Sequence, residues 1–363
     1  MQQAFGDSVT QNFVYNGHAA RVIFGFGTLS QVGDELRKLG RRALVLSTPQ
    51  QSDHARQLAA TLGDLSVGVF CEAAMHTPVD VTERALEAVR TLGADCTVAL
   101  GGGSTTGLGK AIALRTDLPQ LVIPTTYAGS EMTPILGETE HGAKKTIRSP
   151  KVLPEVVVYD VDLTMTLPAA LSASSGMNAI AHSVEALYAQ DANPIVSLMA
   201  CEGVEALAKA LPIIVEKTDD REARWRALYG AWLSGLCLGA VGMGLHHKLC
   251  HTLGGAFDLP HAETHTIILP HAVAYNARAT QPAMARIAAA LGVGEAAMGL
   301  YDLAGRIGAK RALKDIGMPE LGVARAAEMA LANPYWNPRP LDLEAIRRLI
   351  GRAWSGAPPD AAI

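Results

Sequence analysis

Apolar and polar positions alternate along this chain in two different rhythms. From about Val14 to Val161, short β-branched runs are separated by stretches with apolar residues at helical spacing, the pattern of strands and crossover helices in a largely parallel sheet. Ala43 to Leu46, Cys96 to Leu100, Leu121 to Ile123 and Val156 to Tyr159 are the clearest predicted strands. Val79 to Leu92 reads as a helix closed by Gly93, because glycine takes the left-handed conformation that commonly ends a helix. After Asp162 the β-branched runs almost vanish. Ala- and Leu-rich segments replace them, and Ala169 to Ala189, Pro194 to Val215, Arg221 to Leu253 and Pro282 to Leu291 each predict helix. The expected organisation is an α/β domain over residues 1–162 and an all-α domain over 163–363, with Pro168 in the first turn of the helix that opens the second. With no repeat or flexible linker between them, the two should pack closely and enclose a cleft.

Composition narrows the function classes. The chain has 363 residues, 49% of them hydrophobic, too many for one ordinary core. A net charge of -4 offers no basic footprint for nucleic acid or an anionic membrane, so small-molecule chemistry gains weight. The five cysteines are scattered and form no CxxC pair, which argues against a disulfide framework or a thiolate zinc site and for a reducing, cytoplasmic setting. Leu233 to Leu245, the most apolar long run, falls short of the roughly 20 residues a bilayer requires. No membrane span is expected.

The strongest local motif is CTVALGGGSTTGLGKAIAL, a strand, then Gly101, Gly102, Gly103 and Ser104, then a helix predicted to start near Thr106. Glycines let the backbone approach a diphosphate, and a helix N-terminus presents free N–H groups at its positive end. The Rossmann pattern fails here, since Thr106 stands where a small residue is needed and Gln120 and Leu121 where an acid is needed. A P-loop fails too, with Ser104 and Ala111 at its glycine and hydroxyl positions. Pro124 to Glu131, PTTYAGSE, follows another strand, so the hydroxyls of Thr125, Thr126 and Ser130 could line the same crevice. Lys144 and Lys145 could meet cofactor hydroxyls or phosphate. The bland readings are a tight unliganded turn, a turn capped by Ser130 or Thr133, and solvated lysines.

Six of the eleven histidines, His246, His247, His251, His261, His265 and His271, fall in one short stretch. His247 and His251 share a helical face, with Gly254 and Gly255 expected to end that helix and His261 to fold back from a loop after Pro260. Asn178 and His182 share a face in the same way. Asn178, His182, His247 and His261 could therefore converge from separate segments. A divalent ion usually asks for a carboxylate among such ligands, and Asn178 offers a neutral carbonyl. His246 or His265 alone would more simply be a hydrogen-bonded core group.

Taken in order, GGGS after a strand, PTTYAGSE, GMNAIAHSVEA, and HxxxHTLGG followed by LPHAETHTIILPH resemble the iron-containing alcohol dehydrogenase family over nearly the whole chain. PTTYAGSEMTP, GLHHKLCHTLGGAFDLPHAETH and NPYWNPRP resemble one branch of it, the maleylacetate reductases of aromatic degradation. The resemblance implies a dehydroquinate-synthase-like fold, with an N-terminal dinucleotide-binding domain and a helical catalytic domain, and a homodimer. It places the Gly101 to Ser104 loop on the cofactor diphosphate, Thr125, Thr126 and Tyr127 beside the cofactor, and Lys144 near the ribose. The family's metal ligands, an aspartate and three histidines, match Asn178, His182, His247 and His261, so the aspartate is missing and no metal is expected. The implied reaction is reduction of the maleylacetate carbon–carbon double bond by NADH or NADPH; the mechanistic hypothesis added to it is that His251 and its neighbours stabilise and protonate an enolate. Ser47 to Gln50, after the second strand, carry neither an acid nor an arginine, which leaves both nucleotides open. Lys248 and Arg339 are candidates, on charge alone, for the two carboxylates of the substrate. The competing expectations are a metal-dependent alcohol or polyol dehydrogenase, a lyase resembling dehydroquinate synthase, and a nucleotide-binding sensor without chemistry.

Overall fold

Strands rich in Val, Ile and Leu on both faces need helices on both sides, and that demand organises the first half of the chain. The computed structural model describes residues 13–17, 20–140 and 143–362, without the side chains of 143 and 144. In chain order the elements are β1 (Arg21–Gly25), α1 (Val32–Leu39), β2 (Ala43–Leu46), α2 (Ser52–Leu62), β3 (Ser66–Phe70), α3 (Val79–Leu92), β4 (Cys96–Gly101), α4 (Gly103–Thr116), β5 (Gln120–Pro124), β6 (Ile135–Glu140), β7 (Ala143–Arg148) and β8 (Val156–Asp160). Six strands form a parallel sheet in the order β1-β8-β5-β4-β2-β3. From β2 the chain runs outward to β3, then crosses back to β4 on the other side, so the carboxyl ends of β2 and β4 flank a crevice. The predicted α3 has the bounds found, with Gly93 left-handed at φ 61.

Helices follow from there: α5 (Ala169–Ala186), α6 (Pro194–Glu216), α7 (Arg221–Ala240), α8 (Leu245–Phe257), α9 (His261–Asn276), α10 (Gln281–Leu291), α11 (Ala296–Arg306), α12 (Gly322–Ala332) and α13 (Leu343–Ser355). Their largest shared core joins α5, α6, α7 and α9 to Tyr127, Met132 and Tyr159 of the sheet half.

Several expected boundaries change. The segment Arg221 to Leu253 is two helices, not one, bent by 95° where Val241 turns extended. Gly254 and Gly255 lie inside α8, which ends instead at Asp258 in the left-handed region, φ 51. His261 is the first residue of α9 rather than part of a loop, and α4 begins at Gly103, with Gly102 as its N-cap and Gly101 still in β4. Periodicity alone does not reveal the β6–β7 hairpin, because ILGETE and AKKTIR lack a β-branched apolar run, and Glu138 is buried in β6 against Arg115.

Gly129, at φ +80, and Gly235 of α7 bring two backbones together. A Cβ on Gly235 would lie 2.6 Å from the Gly129 carbonyl oxygen, and backbone can yield only by moving the loop. Gly235→Ala should cost about 1–3 kcal/mol and lower the melting temperature in a thermal unfolding scan. An unchanged melting temperature would show that the loop is free to shift.

Candidate active site

The phosphate-side wall is built by two loops at strand ends. Thr125 N donates to Gly101 O at 3.1 Å, and a Cβ on Gly102 would meet the Thr126 side chain at 3.0 Å, so the loops following β4 and β5 are locked together. Gly103, Ser104, Thr126 and Ser130 face a cleft of about 690 Å³. Gly101 and Thr125 are buried, with the Thr125 hydroxyl accepting from Gln51 Nε2 at 3.0 Å. Tyr127 departs from its expected place beside a cofactor. Its ring is fully buried in the core and its hydroxyl accepts from Arg224 at 3.2 Å, because the loop after β5 turns this side chain inward to the helical half. The side chain of Lys144 lies outside the described residues.

Lys110 of α4 also reaches the cleft. Its ammonium donates to Ser130 O, Thr133 O and Oγ1 and Ile135 O at 2.6–3.0 Å, tying the glycine-loop helix to the segment after β5. Burial pushes its pKa down to about 7, opposed by nearby Glu131.

The opposite wall belongs to the helical half. Asn178, His182, His247, His251 and His261 all line the cleft, brought there by α5, α8 and the first turn of α9. His182 Nδ1 and His247 Nε2 share a hydrogen bond of 2.9 Å. His182 Nε2 stands 3.3 Å from Asn178 Nδ2 and 3.2 Å from Ala128 O. His247 Nδ1 lies 2.6 Å from Glu185 Oε2, so it carries a proton, since a carboxylate only accepts. Burial first, then the His247 ring, holds His182 well below the ordinary imidazole range, and it is neutral at pH 7. His251, half-buried, meets the Tyr335 hydroxyl at 3.0 Å through Nδ1, and its ring lies parallel to His261 at 6.5 Å.

Sequence reasoning passed over Glu185 and Tyr335. Glu185 sits three residues after His182 on the same helix, and Tyr335 lies within NPYWNPRP, so both stood in motifs already noticed for other residues. Lys248 is half-buried, 5.6 Å over the Tyr335 ring, and burial lowers its pKa. Arg339 is turned away from the cleft, donating to Tyr275 O at 2.9 Å and stacking 4.1 Å over that ring. Its fork is held by the aromatic residue beneath it.

Behind this wall, His246, Cys250 and His265 bring three ligand-type atoms within 4.8 Å of one another, so one cysteine does have imidazole neighbours. His246 Nε2 and His265 Nδ1 are hydrogen-bonded at 2.9 Å, and burial above all holds both rings well below the usual imidazole range.

The family profile described as iron-containing alcohol dehydrogenase matches residues 19–161, and that of the Fe-containing alcohol dehydrogenase C-terminal region matches 172–354. A maleylacetate reductase from Rhizobium sp. strain MTP-10005 is 59% identical over 96% of this chain and 100% of its own length. One from Sphingobium indicum is 59% identical over 96% of this chain and 99% of its own. The crystal structure of maleylacetate reductase from Agrobacterium tumefaciens superposes with a TM-score of 0.93 at 59% identity, covering 96% of this chain and 100% of that one.

Proposed function

Because the chain belongs to the iron-containing alcohol dehydrogenase family, we propose that it is a maleylacetate reductase, an oxidoreductase that spends a nicotinamide hydride on a conjugated carbon–carbon double bond. The observation that carries the reading is a single cleft with Gly103, Ser104 and Thr126 on one wall and His182, His247, His251 and His261 on the other. The first set suits a dinucleotide diphosphate at the N-terminus of α4, and the second suits a substrate in which charge develops on oxygen.

In maleylacetate the alkene is conjugated to a ketone. Hydride from NADH or NADPH adds to the alkene carbon remote from the ketone, and the electron pair moves onto the ketone oxygen as an enolate. Imidazole N–H groups stabilise that oxygen, and His251 passes a proton to the carbon beside the ketone, giving 3-oxoadipate and the oxidised nucleotide. One hydride and one proton are consumed, and no other reactant is required. The Tyr335 hydroxyl on His251 Nδ1 fixes which ring nitrogen faces the substrate.

The donor set does not suit the family's iron. Asn178 brings no anion, and the His182 and His247 nitrogens are closed on each other at 2.9 Å instead of diverging around a shared centre. The carboxylate of Glu185 is engaged on the far nitrogen of His247. The proposed enzyme is therefore metal-free, and the enolate route is compatible with that, since imidazole donors supply the stabilisation a Lewis acid would otherwise provide. We place it in the cytoplasm as a homodimer.

The test follows NADH and NADPH oxidation with freshly prepared maleylacetate, with and without chelator, beside metal analysis of the purified protein. Turnover that is unchanged in chelator and a protein free of stoichiometric iron or zinc are expected. Loss of activity in chelator, restored by a divalent metal, would favour a metal-dependent alcohol dehydrogenase. Cofactor binding without net oxidation would favour a lyase or a sensor.

A further inference from the structure

A dianionic substrate needs fixed positive charge in the cleft, and neither Lys248 nor Arg339 is among its lining residues. Among the described lining residues, the Lys and Arg side chains are Lys110 and Arg148. Lys110 is spent, its three N–H bonds distributed over four oxygens of the chain itself.

Arg148 ends β7, where strand alternation sets it on the same face as Thr146, and both line the cleft. Its Nη2 donates to Gly239 O at 2.6 Å, which moors the side chain to the last turn of α7. That turn runs directly into Val241, Gly242 and Met243, which line the cleft, and then into the helix bearing His247 and His251. The guanidinium has five N–H groups, and among the described residues it makes no ion pair. Being exposed to the cleft, moored at one nitrogen and otherwise open, it is prepared for a planar, two-toothed anion.

We infer that Arg148 binds one carboxylate of the dicarboxylate substrate and thereby sets the selectivity of the site for diacids over monoacids. The inference rests on the reductase reading for the substrate's identity, while its charge argument concerns any short diacid in the cleft. A guanidinium fork and a carboxylate form paired charge-assisted hydrogen bonds, each stronger than a neutral one.

The experiment compares wild type, Arg148→Lys and Arg148→Met in three measurements. These are the KM for maleylacetate, the affinity for NADH and for NADPH by fluorescence titration, and inhibition by adipate against hexanoate. Arg148→Met should raise the KM for maleylacetate by about 10- to 100-fold, with Arg148→Lys in between, a point charge without the fork. Nucleotide affinity should stay at the wild-type value, which also shows that the variants are folded. The preference for adipate over hexanoate should collapse in Arg148→Met. An unchanged KM and an unchanged diacid preference would overturn the inference, and so would a loss confined to NADH or NADPH affinity, which would give Arg148 to the cofactor. If wild type preferred adipate but failed to reduce maleylacetate, the reductase reading would fall while the diacid role of Arg148 remained supported.

Discussion

Replacing His251 with alanine is expected to lower kcat by about 10²- to 10⁴-fold, the range in which a positioned general acid contributes, while NADH affinity stays close to wild type. The structure gives this residue a different situation from its neighbours. His182 and His247 are buried and hydrogen-bonded to each other, whereas His251 is half-buried, faces the cleft, and has Nδ1 set against the Tyr335 hydroxyl. In the proposed mechanism Nε2 is the nitrogen that addresses substrate. Tyr335→Phe should then show a smaller loss of about 10-fold, the value of one hydrogen bond that orients the ring. Steady-state rates with maleylacetate, paired with single-turnover rates of NADH oxidation, separate a slowed chemical step from slowed product release. If His251→Ala keeps near-normal kcat/KM, the proton comes from elsewhere, and the assignment of roles around the enolate has to be redrawn.

The parts of this molecule most readable from sequence are those where one residue type has one physical use. Gly93 ends α3 because a left-handed residue is needed there, and the apolar strands show themselves because both faces of the sheet are covered. Spacing of four on a helix correctly paired Asn178 with His182 and put His247 and His251 on one face, so the convergence of imidazoles on a single cleft was legible. What failed depended on contacts distant in sequence. Gly242 and Gly244 are the local hint that Arg221–Leu253 is two helices, but glycines inside a helix are tolerated, and the break at Val241–Gly244 is held by a carboxylate from α5. Tyr127 looked like its neighbours Thr125 and Thr126, but its partner Arg224 lies 97 residues away in the other half of the chain. Arg339 offered charge without direction, and only the Tyr275 ring beneath it decides where its fork points. Pattern thus gives elements and faces. Which polar group is satisfied by which, and so which remains for a ligand, is settled in three dimensions.

Removing the carboxylate at Glu185 should have the largest effect on stability of any single change near the site. The helix α8 begins after Gly244, which has no side chain to cap it, and its first turn carries no acidic residue. Glu185 of α5 takes over that duty: one oxygen accepts from His246 N at 2.8 Å, the other from Gly244 N at 3.0 Å and His247 N at 3.3 Å. The negative charge thus sits at the positive end of α8, and the same oxygen orients His247 through Nδ1 at 2.6 Å. The carboxylate is almost wholly buried, so Glu185→Ala leaves several amide donors and an imidazole without an acceptor in a place water hardly reaches. Breaking such an arrangement costs about 3–5 kcal/mol, and a large fall in melting temperature or a failure to fold is expected. Glu185→Gln keeps the shape and one acceptor, yet turns an NH₂ group toward donors. It should fold, melt earlier than wild type, and lose about 10- to 100-fold in kcat as His247 loses its anchor. Thermal unfolding and steady-state kinetics on the two variants decide the matter. If Glu185→Gln melted and turned over like wild type, the carboxylate would be neither the cap of α8 nor the support of His247.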